Sequence, residues 1–284
     1  MTSLSIGFDI LSFTAVMILV VLGLGIVASM MGIFNFAHGE FVLLGAYFVW
    51  LGSGAGMPVW VAMLVAPFLV ALIGLLLERL VVHRFYAAPV VGMLGTYAVG
   101  LVLRETVRGL TGGQFHAVQE PIGGSFVLGG LTIPAWRAVV VVITALVVAG
   151  AWLLLSRSTL GLRVRAALEN PGLARASGIS TRRLYAATFA FGAGLAGLAG
   201  ALVVPLFSLS ADLGVRFLVQ GFLSVMLGGV GSFEGPVLGS AIVGALSAGL
   251  PWIVPPVLAD VLVFVLALIA IKLRPQGIIH RRGA

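Results

Sequence analysis

From Ile10 to Ile33 the chain runs without a single ionisable side chain. That is longer than the ~20 apolar residues needed to cross a bilayer. Eight further apolar segments follow at about Phe36–Leu51, Pro58–Val82, Pro89–Leu110, Ala135–Leu155, Leu184–Ser208, Phe217–Val230, Pro236–Val254 and Val257–Leu273. The composition leaves no water-soluble alternative. The 284 residues are 61% hydrophobic and 9% charged, whereas a soluble domain carries about 25% charged residues. In lipid every backbone group must find its partner inside the chain, so a spanning structure is either helical or a closed barrel. The apolar runs are continuous and lack the period-two alternation of barrel strands, so they are read as helices. The expected fold class is an all-α integral membrane protein. It is a polytopic bundle of about eight to nine transmembrane helices forming a single domain over residues 1–284.

Two segments, Phe36–Leu51 and Phe217–Val230, are short and bordered by glycine, and either is a candidate broken or re-entrant element. The run "FGAGLAGLAGA" (Phe191–Ala201) places small residues at helical spacing, which lets helix backbones approach closely. Packing is the plain reading of that run.

The net charge of +7 suggests a nucleic-acid partner only until the basic residues are located. They sit at helix ends and in one loop, which makes them a topology signal. Arg79–Arg84, the stretch from Arg157 to Arg183, and the C-terminal Lys272, Arg274, Arg281 and Arg282 are all assigned to the cytoplasm. The N-terminus, with only Asp9, and Thr111–Gly130, with no basic residue, are assigned outside. These assignments agree in parity if nine segments cross; if Phe217–Val230 turns back, eight cross and one terminus is misplaced. The sequence "MTSLSIGFDI" has no basic n-region, so no cleavable signal peptide is expected there.

One polar island interrupts the oil. "RVRAALENPGLARASGIS" (Arg163–Ser180) lies in a cytoplasmic loop of about 157–183, longer than a connection needs. Asn170 suits an N-cap, Pro171 the first helical position and Gly178 a left-handed stop. Glu169 precedes the positive end of the short helix they bracket. Leu173, Ala174 and Ser177 are expected to share one weakly apolar face. About two turns of helix are not stable alone, so neighbours or a partner must hold them. The plainer reading is a solvated loop whose arginines only fix orientation.

"NFAHGE" places Asn35, His38 and Glu40 between two apolar segments. Ionisable groups at membrane depth usually face a cavity or one another, so these three are candidates to line or gate a path. The alternative is an interfacial turn, with Asn35 capping the next helix and Glu40 in its first turn. "GGVGSFEGP" (Gly228–Pro236) breaks a second apolar stretch, making Gly228, Gly229, Gly231 and Glu234 candidates for the same path; a plain inter-helix loop is the alternative. "EFVLLGA" (Glu40–Ala46) and "EGPVLGS" (Glu234–Ser240) share a faint pattern suggesting a duplicated half. Arg104, Glu105 and Arg108, and likewise Glu78 and Arg79, read as the polar ends of helices. Cysteine is absent, the histidines have no metal-ligand spacing, and no nucleophile–base pair stands out. No cofactor is expected. Lys272 is the only lysine, and no G-x-x-x-x-G-K-[ST] occurs. Energy for transport must come from another polypeptide, or the protein is passive.

"RAALENPGLARASGIS" resembles the "A-x-x-E-N-P-x-x-A-x-x-x-G-I" loop of bacterial ABC importer permeases for branched-chain amino acids. "NFAHGEFVLLGAY" (Asn35–Tyr47), "MLGGVGSFEGPVLGSAIVGAL" (Met226–Leu246) and "RPQGI" (Arg274–Ile278) are similar to further signatures of that family, in its order. The "NFAHGE" form and the length resemble the H-type subunit. The resemblance implies the ABC-importer permease fold in a bacterial inner membrane. It also implies a second permease subunit, normally as a heterodimer, two cytoplasmic ATP-binding subunits and a periplasmic substrate-binding protein. It makes the island a coupling helix that docks into an ATPase, with Glu169, Asn170, Pro171, Ala174 and Gly178 at matched positions and Leu173 on its surface. Related permeases carry urea or short amides, so these remain alternative substrates. A passive channel or secondary transporter for a small neutral solute is the competing class; flux through the chain alone, without ATP, would favour it.

Overall fold

A computed structural model describes residues 3–32, 34–86, 88–128 and 131–279. Ile33, Gly130, Arg281 and Arg282, used above to read boundaries and orientation, lie outside the described residues. Every apolar segment of the sequence carries a helix. In chain order these are α1 (Ser3–Met31), α2 (His38–Gly54), α3 (Val59–Leu80), α4 (Pro89–Thr111) and α5 (Ala135–Arg157). Two short polar helices follow, α6 (Thr159–Glu169) and α7 (Pro171–Ala176). The bundle resumes with α8 (Thr181–Val203), α9 (Leu213–Gly228), α10 (Glu234–Gly249) and α11 (Pro256–Leu273). Seven are long and apolar enough to cross a membrane, α10 by running on through a 3-10 turn to Trp252; α2, with 17 residues, and α9, with 16, are not. A small hairpin between α4 and α5, β1 (Ser125–Leu128) against antiparallel β2 (Leu131–Pro134), was not legible as strands beforehand.

α1 and α8 form the centre and run antiparallel. They cross at Gly23 and Gly192, where a Cβ on Gly23 would lie 2.4 Å from the Gly192 carbonyl oxygen. The small-residue run on α8 continues this close packing, because Gly200 faces the Val42 carbonyl of α2 at 1.9 Å from the same kind of virtual Cβ. A side chain at either point would push whole helices apart. Without a hydrophobic force between helices in lipid, such backbone approach is what holds them together.

The two apolar helices too short to span, α2 and α9, begin inside the bundle. His38, the first residue of α2, places Nε2 3.0 Å from the carbonyl oxygen of Val20, in the middle of α1. After α1 ends at Met31 the chain therefore doubles back to half depth before α2 starts. From there α2 runs along the distal half of α8, reaching Gly197 at Gly45. α9 mirrors this. α8 ends at Val203, and the chain touches the loop after α4 through reciprocal bonds between His116 and Leu209 of 2.9 Å. It then returns to half depth, where α9 starts and runs along α1 past Val21 and Leu24. The starts of α2 and α9 meet at Gly39 and Gly214, each of whose virtual Cβ atoms lies within 2.4 Å of the other's carbonyl oxygen.

Each of these two legs crosses as a piece of coil plus a half-length helix. Counted this way, nine legs run between the two faces of the bundle among the described residues. The face carrying α6 and α7 is the basic one, the face that the positive-inside rule assigns to the cytoplasm. On the opposite face Arg137, at the start of α5, pairs with Asp9 near the start of α1.

Candidate translocation site and coupling helix

Coil residues 34–37 carry the first polar group into the bundle. The Asn35 Oδ1 accepts a hydrogen bond from the Ala37 amide at 3.0 Å, closing a tight turn whose next residue starts α2. Ala37 itself occupies the N-cap position, so Asn35 caps the turn rather than the helix. Asn35, His38 and Glu40 are all buried. Glu40 lies in the first turn of α2, where the helix dipole favours a negative charge.

Its partner is Arg104 of α4. The Arg104 Nη2 lies 2.6 Å from the Glu40 Oε1, and its Nε donates to the same oxygen at 2.8 Å. The glutamate is 1% exposed and the arginine 16%. Arg104 is thus drawn into the bundle, and the sequence reading of a snorkelling helix end is corrected for it. The cause is tertiary: a carboxylate 64 residues away offers better compensation at depth than the interface does.

Arg104 is one of four α4 residues spaced by four. Thr96 Oγ1 accepts from the Phe36 amide at 3.1 Å, and Gly100 rests on Ala37 and Glu40. Arg108, one turn beyond Arg104, holds Asp212 at 2.8 Å, and Asp212 is the N-cap residue of α9. One stripe of α4 therefore grips the beginnings of both half-helices. Spacing of four puts all its members on one helix face. The Glu40 Oε2 and His38 Nδ1 are buried and have no partner among the described residues, so this junction keeps unused hydrogen-bonding capacity.

The second glycine-rich motif lies elsewhere, where α9 ends and α10 starts beside α6. Gly228 packs on the Gly235 carbonyl, and a Cβ there would lie 1.9 Å from the oxygen. Gly229, with φ of +99°, leaves room for the chain's last described residues, whose Ile278 and Ile279 amides bond to the Leu227 and Gly228 carbonyls at 2.9 and 3.0 Å. Gly231 and Glu234 instead line a cavity of about 370 Å³, together with Arg165 and Glu169 of α6. The structure thus brings one residue set, Glu169 with Gly231 and Glu234, to the basic face, and another, Asn35 with His38 and Glu40, to the centre. The faint echo between Glu40 and Glu234 pairs the wrong helices, because the element that mirrors α2 is α9, not α10.

The polar island forms α6 and α7. Asn170 Oδ1 accepts from the Leu173 amide at 2.9 Å, Pro171 occupies the first turn, and Gly178 takes φ of +81°. There the Ile179 amide closes on the Ala174 carbonyl at 2.9 Å. The expected shared face of Leu173 and Ala174 is corrected. Ala174 is 4% exposed and turns into the protein, whereas Leu173 is 65% exposed. Adjacent helical residues point about 100° apart, and the bundle takes the smaller one. Glu78, read from sequence as a helix end, is buried and receives the hydroxyl of Tyr86. Burial, and the bond to Glu78, push the Tyr86 hydroxyl above its ordinary range.

Residues 6–271 match the family model described as the permease component of branched-chain amino acid transport systems. The chain belongs to that family. It is 28% identical over 280 residues to BraD, a high-affinity branched-chain amino acid transport system permease protein of Pseudomonas aeruginosa, covering 93% of this chain and 91% of the relative. It is 25% identical over 279 residues, with the same coverages, to the Escherichia coli K12 protein LivH of the same description. A more distant likeness, 31% identity over 236 residues covering 78% of this chain and 68% of the relative, joins it to LsrD, an autoinducer 2 import system permease protein of Yersinia pseudotuberculosis. Among solved structures, PsaBC from Streptococcus pneumoniae in complex with Fab shares the fold, with a TM-score of 0.52 at 15% identity over 94% of this chain and 91% of that one. The chain is therefore a multi-pass membrane permease subunit of this family, not itself an enzyme.

Proposed function

We propose that this permease subunit forms part of the path by which an ATP-driven importer carries branched-chain or chemically related amino acids. In this reading two cytoplasmic ATP-binding subunits hydrolyse the nucleotide, a periplasmic protein delivers the substrate, and a second permease subunit completes the channel as a heterodimer. The family match over residues 6–271 is the observation that carries the class. The coupling role rests on α7. It is capped at both ends, anchored through Ala174, and presents Leu173 outward on the basic face. Glu169, Asn170, Pro171 and Gly178 hold that geometry rather than touch the partner.

The path runs past the junction of α2 and α9. Two helix N-termini converge there at half depth, an arrangement suited to the carboxylate of a zwitterion. Asn35, His38 and Glu40 supply polar groups, and the small-residue surface leaves few fixed charges for an apolar side chain to meet. Gly228, Gly229, Gly231 and Glu234 shape the cytoplasmic exit.

The test is uptake of radiolabelled leucine into proteoliposomes holding the whole complex, with an unrelated polar solute and urea as controls. ATP-dependent leucine uptake is expected, and it should disappear in Leu173→Asp while the unfolding midpoint stays unchanged. Uptake by this chain alone without ATP would overturn the reading, and so would normal transport by both Leu173→Asp and Gly178→Pro.

A further inference from the structure

At the cytoplasmic ends of α3 and α8 lies a cleft of about 600 Å³ that neither the central junction nor the coupling helix uses. Three guanidinium groups stand around it, from Arg79, Arg182 and Arg183. None of them belongs to any of the ion pairs formed among the described residues. The single carboxylate on the wall, Glu78, is buried and already receives the Tyr86 hydroxyl. Three positive charges thus face one occupied negative charge. Below the arginines the wall changes character. Ala186, Ala187 and Ala190 leave a shallow trough on α8, closed on the α3 side by Leu75.

We propose that this cleft binds the headgroup and upper acyl chain of an anionic phospholipid of the cytoplasmic leaflet. The two halves of the cleft ask for the two halves of that ligand. Guanidinium groups fork onto phosphate oxygens, and basic pockets between helices at the cytoplasmic surface favour acidic headgroups. The trough of alanines accepts a methylene chain at the depth where one hangs below its phosphate. Arginines that only fixed topology would need water above them but no apolar recess below. A free phosphate would use the arginines and leave the recess unused. The coupling partner has its own exposed anchor at Leu173, on a different helix.

Native mass spectrometry of the whole complex, released from nanodiscs containing phosphatidylglycerol and phosphatidylcholine, tests the assignment. The wild type should retain phosphatidylglycerol in preference to phosphatidylcholine. In Arg79→Gln/Arg182→Gln/Arg183→Gln, affinity for phosphatidylglycerol should fall about a hundredfold, the change three arginines near an anionic leaflet supply. Ala187→Leu, which fills the trough and leaves the charges, should also weaken retention. Phosphatidylglycerol, but not inorganic phosphate, should raise the unfolding midpoint of the wild type and not of the triple variant. Unchanged lipid retention in both variants overturns the proposal, as does equal stabilisation by inorganic phosphate. Loss of the ATP-binding subunits with lipid still retained overturns it too, because the cleft would then be a protein-docking surface.

Discussion

The two half-helices are built alike and held differently. α2 and α9 each begin at half depth after a stretch of returning coil, their starts touch through Gly39 and Gly214, and both answer to the same stripe of α4. The carboxylate at the start of α2 is sealed, with Glu40 only 1% exposed against Arg104. At the start of α9, Asp212 is 60% exposed against an Arg108 that is 40% exposed. A carboxylate held by an α4 arginine near each helix start thus carries a different energy in the two arms. Removing one partner of a sealed pair leaves an uncompensated charge, whereas an exposed pair exchanges its partner for water. The first arm is locked from within, and the second is tied at its rim.

That contrast can be broken experimentally. The largest effect is expected for Glu40→Ala, which strands Arg104 and should lower unfolding stability by about 3–5 kcal/mol, read as a fall in the thermal midpoint in nanodiscs. Glu40→Leu combined with Arg104→Leu should recover most of that loss. If the single variant melts like the wild type, the sealed pair does not lock the arm. Next come Gly39→Val and Gly214→Val. The contact is reciprocal, so both should cost similar amounts, about 1–3 kcal/mol of overpacking. Gly7→Ala, on α1 with nothing within 4 Å, should not destabilise. A large difference between the two valine variants would mean the arms do not share one contact.

Asn170→Ala tests the short helix on the basic face. Loss of the cap should cost α7 about 1 kcal/mol, seen as faster amide exchange from Leu173 to Ser177 with the global midpoint unmoved. A shift of the whole transition would show that α7 melts with the bundle. The smallest effect belongs to Arg108→Ala, for which no change in midpoint should be resolved. A drop as large as that of Glu40→Ala would erase the distinction between the arms.

Much of this was written along the chain. All nine apolar segments became helices, because only helices satisfy the backbone in lipid. The caps of α7 were legible because they are local: Asn170 bonds to a residue three positions away, and Gly178 needs only its own φ. The arginines of Arg79–Arg84 and Arg157–Arg183 do gather with α6 and α7 on one face of the bundle, whereas Arg104, read as a helix end, turned inward. The short lengths of Phe36–Leu51 and Phe217–Val230 flagged both half-helices, although neither the depth of their starts nor their meeting could be read.

What the sequence determined by itself was therefore everything fixed by composition and near neighbours: a helical membrane bundle and a short helix capped at both ends. Only the tertiary structure decided that Glu40 would meet Arg104, that Glu78 would be sealed under Tyr86, and that α9 rather than α10 mirrors α2. The first and the last depend on contacts between residues remote in the chain, and the second on a turn whose burial only the packed bundle supplies. An arginine near a helix end looks the same whether it reaches out to water or inward to a carboxylate, until the fold supplies the partner that makes the second cheaper.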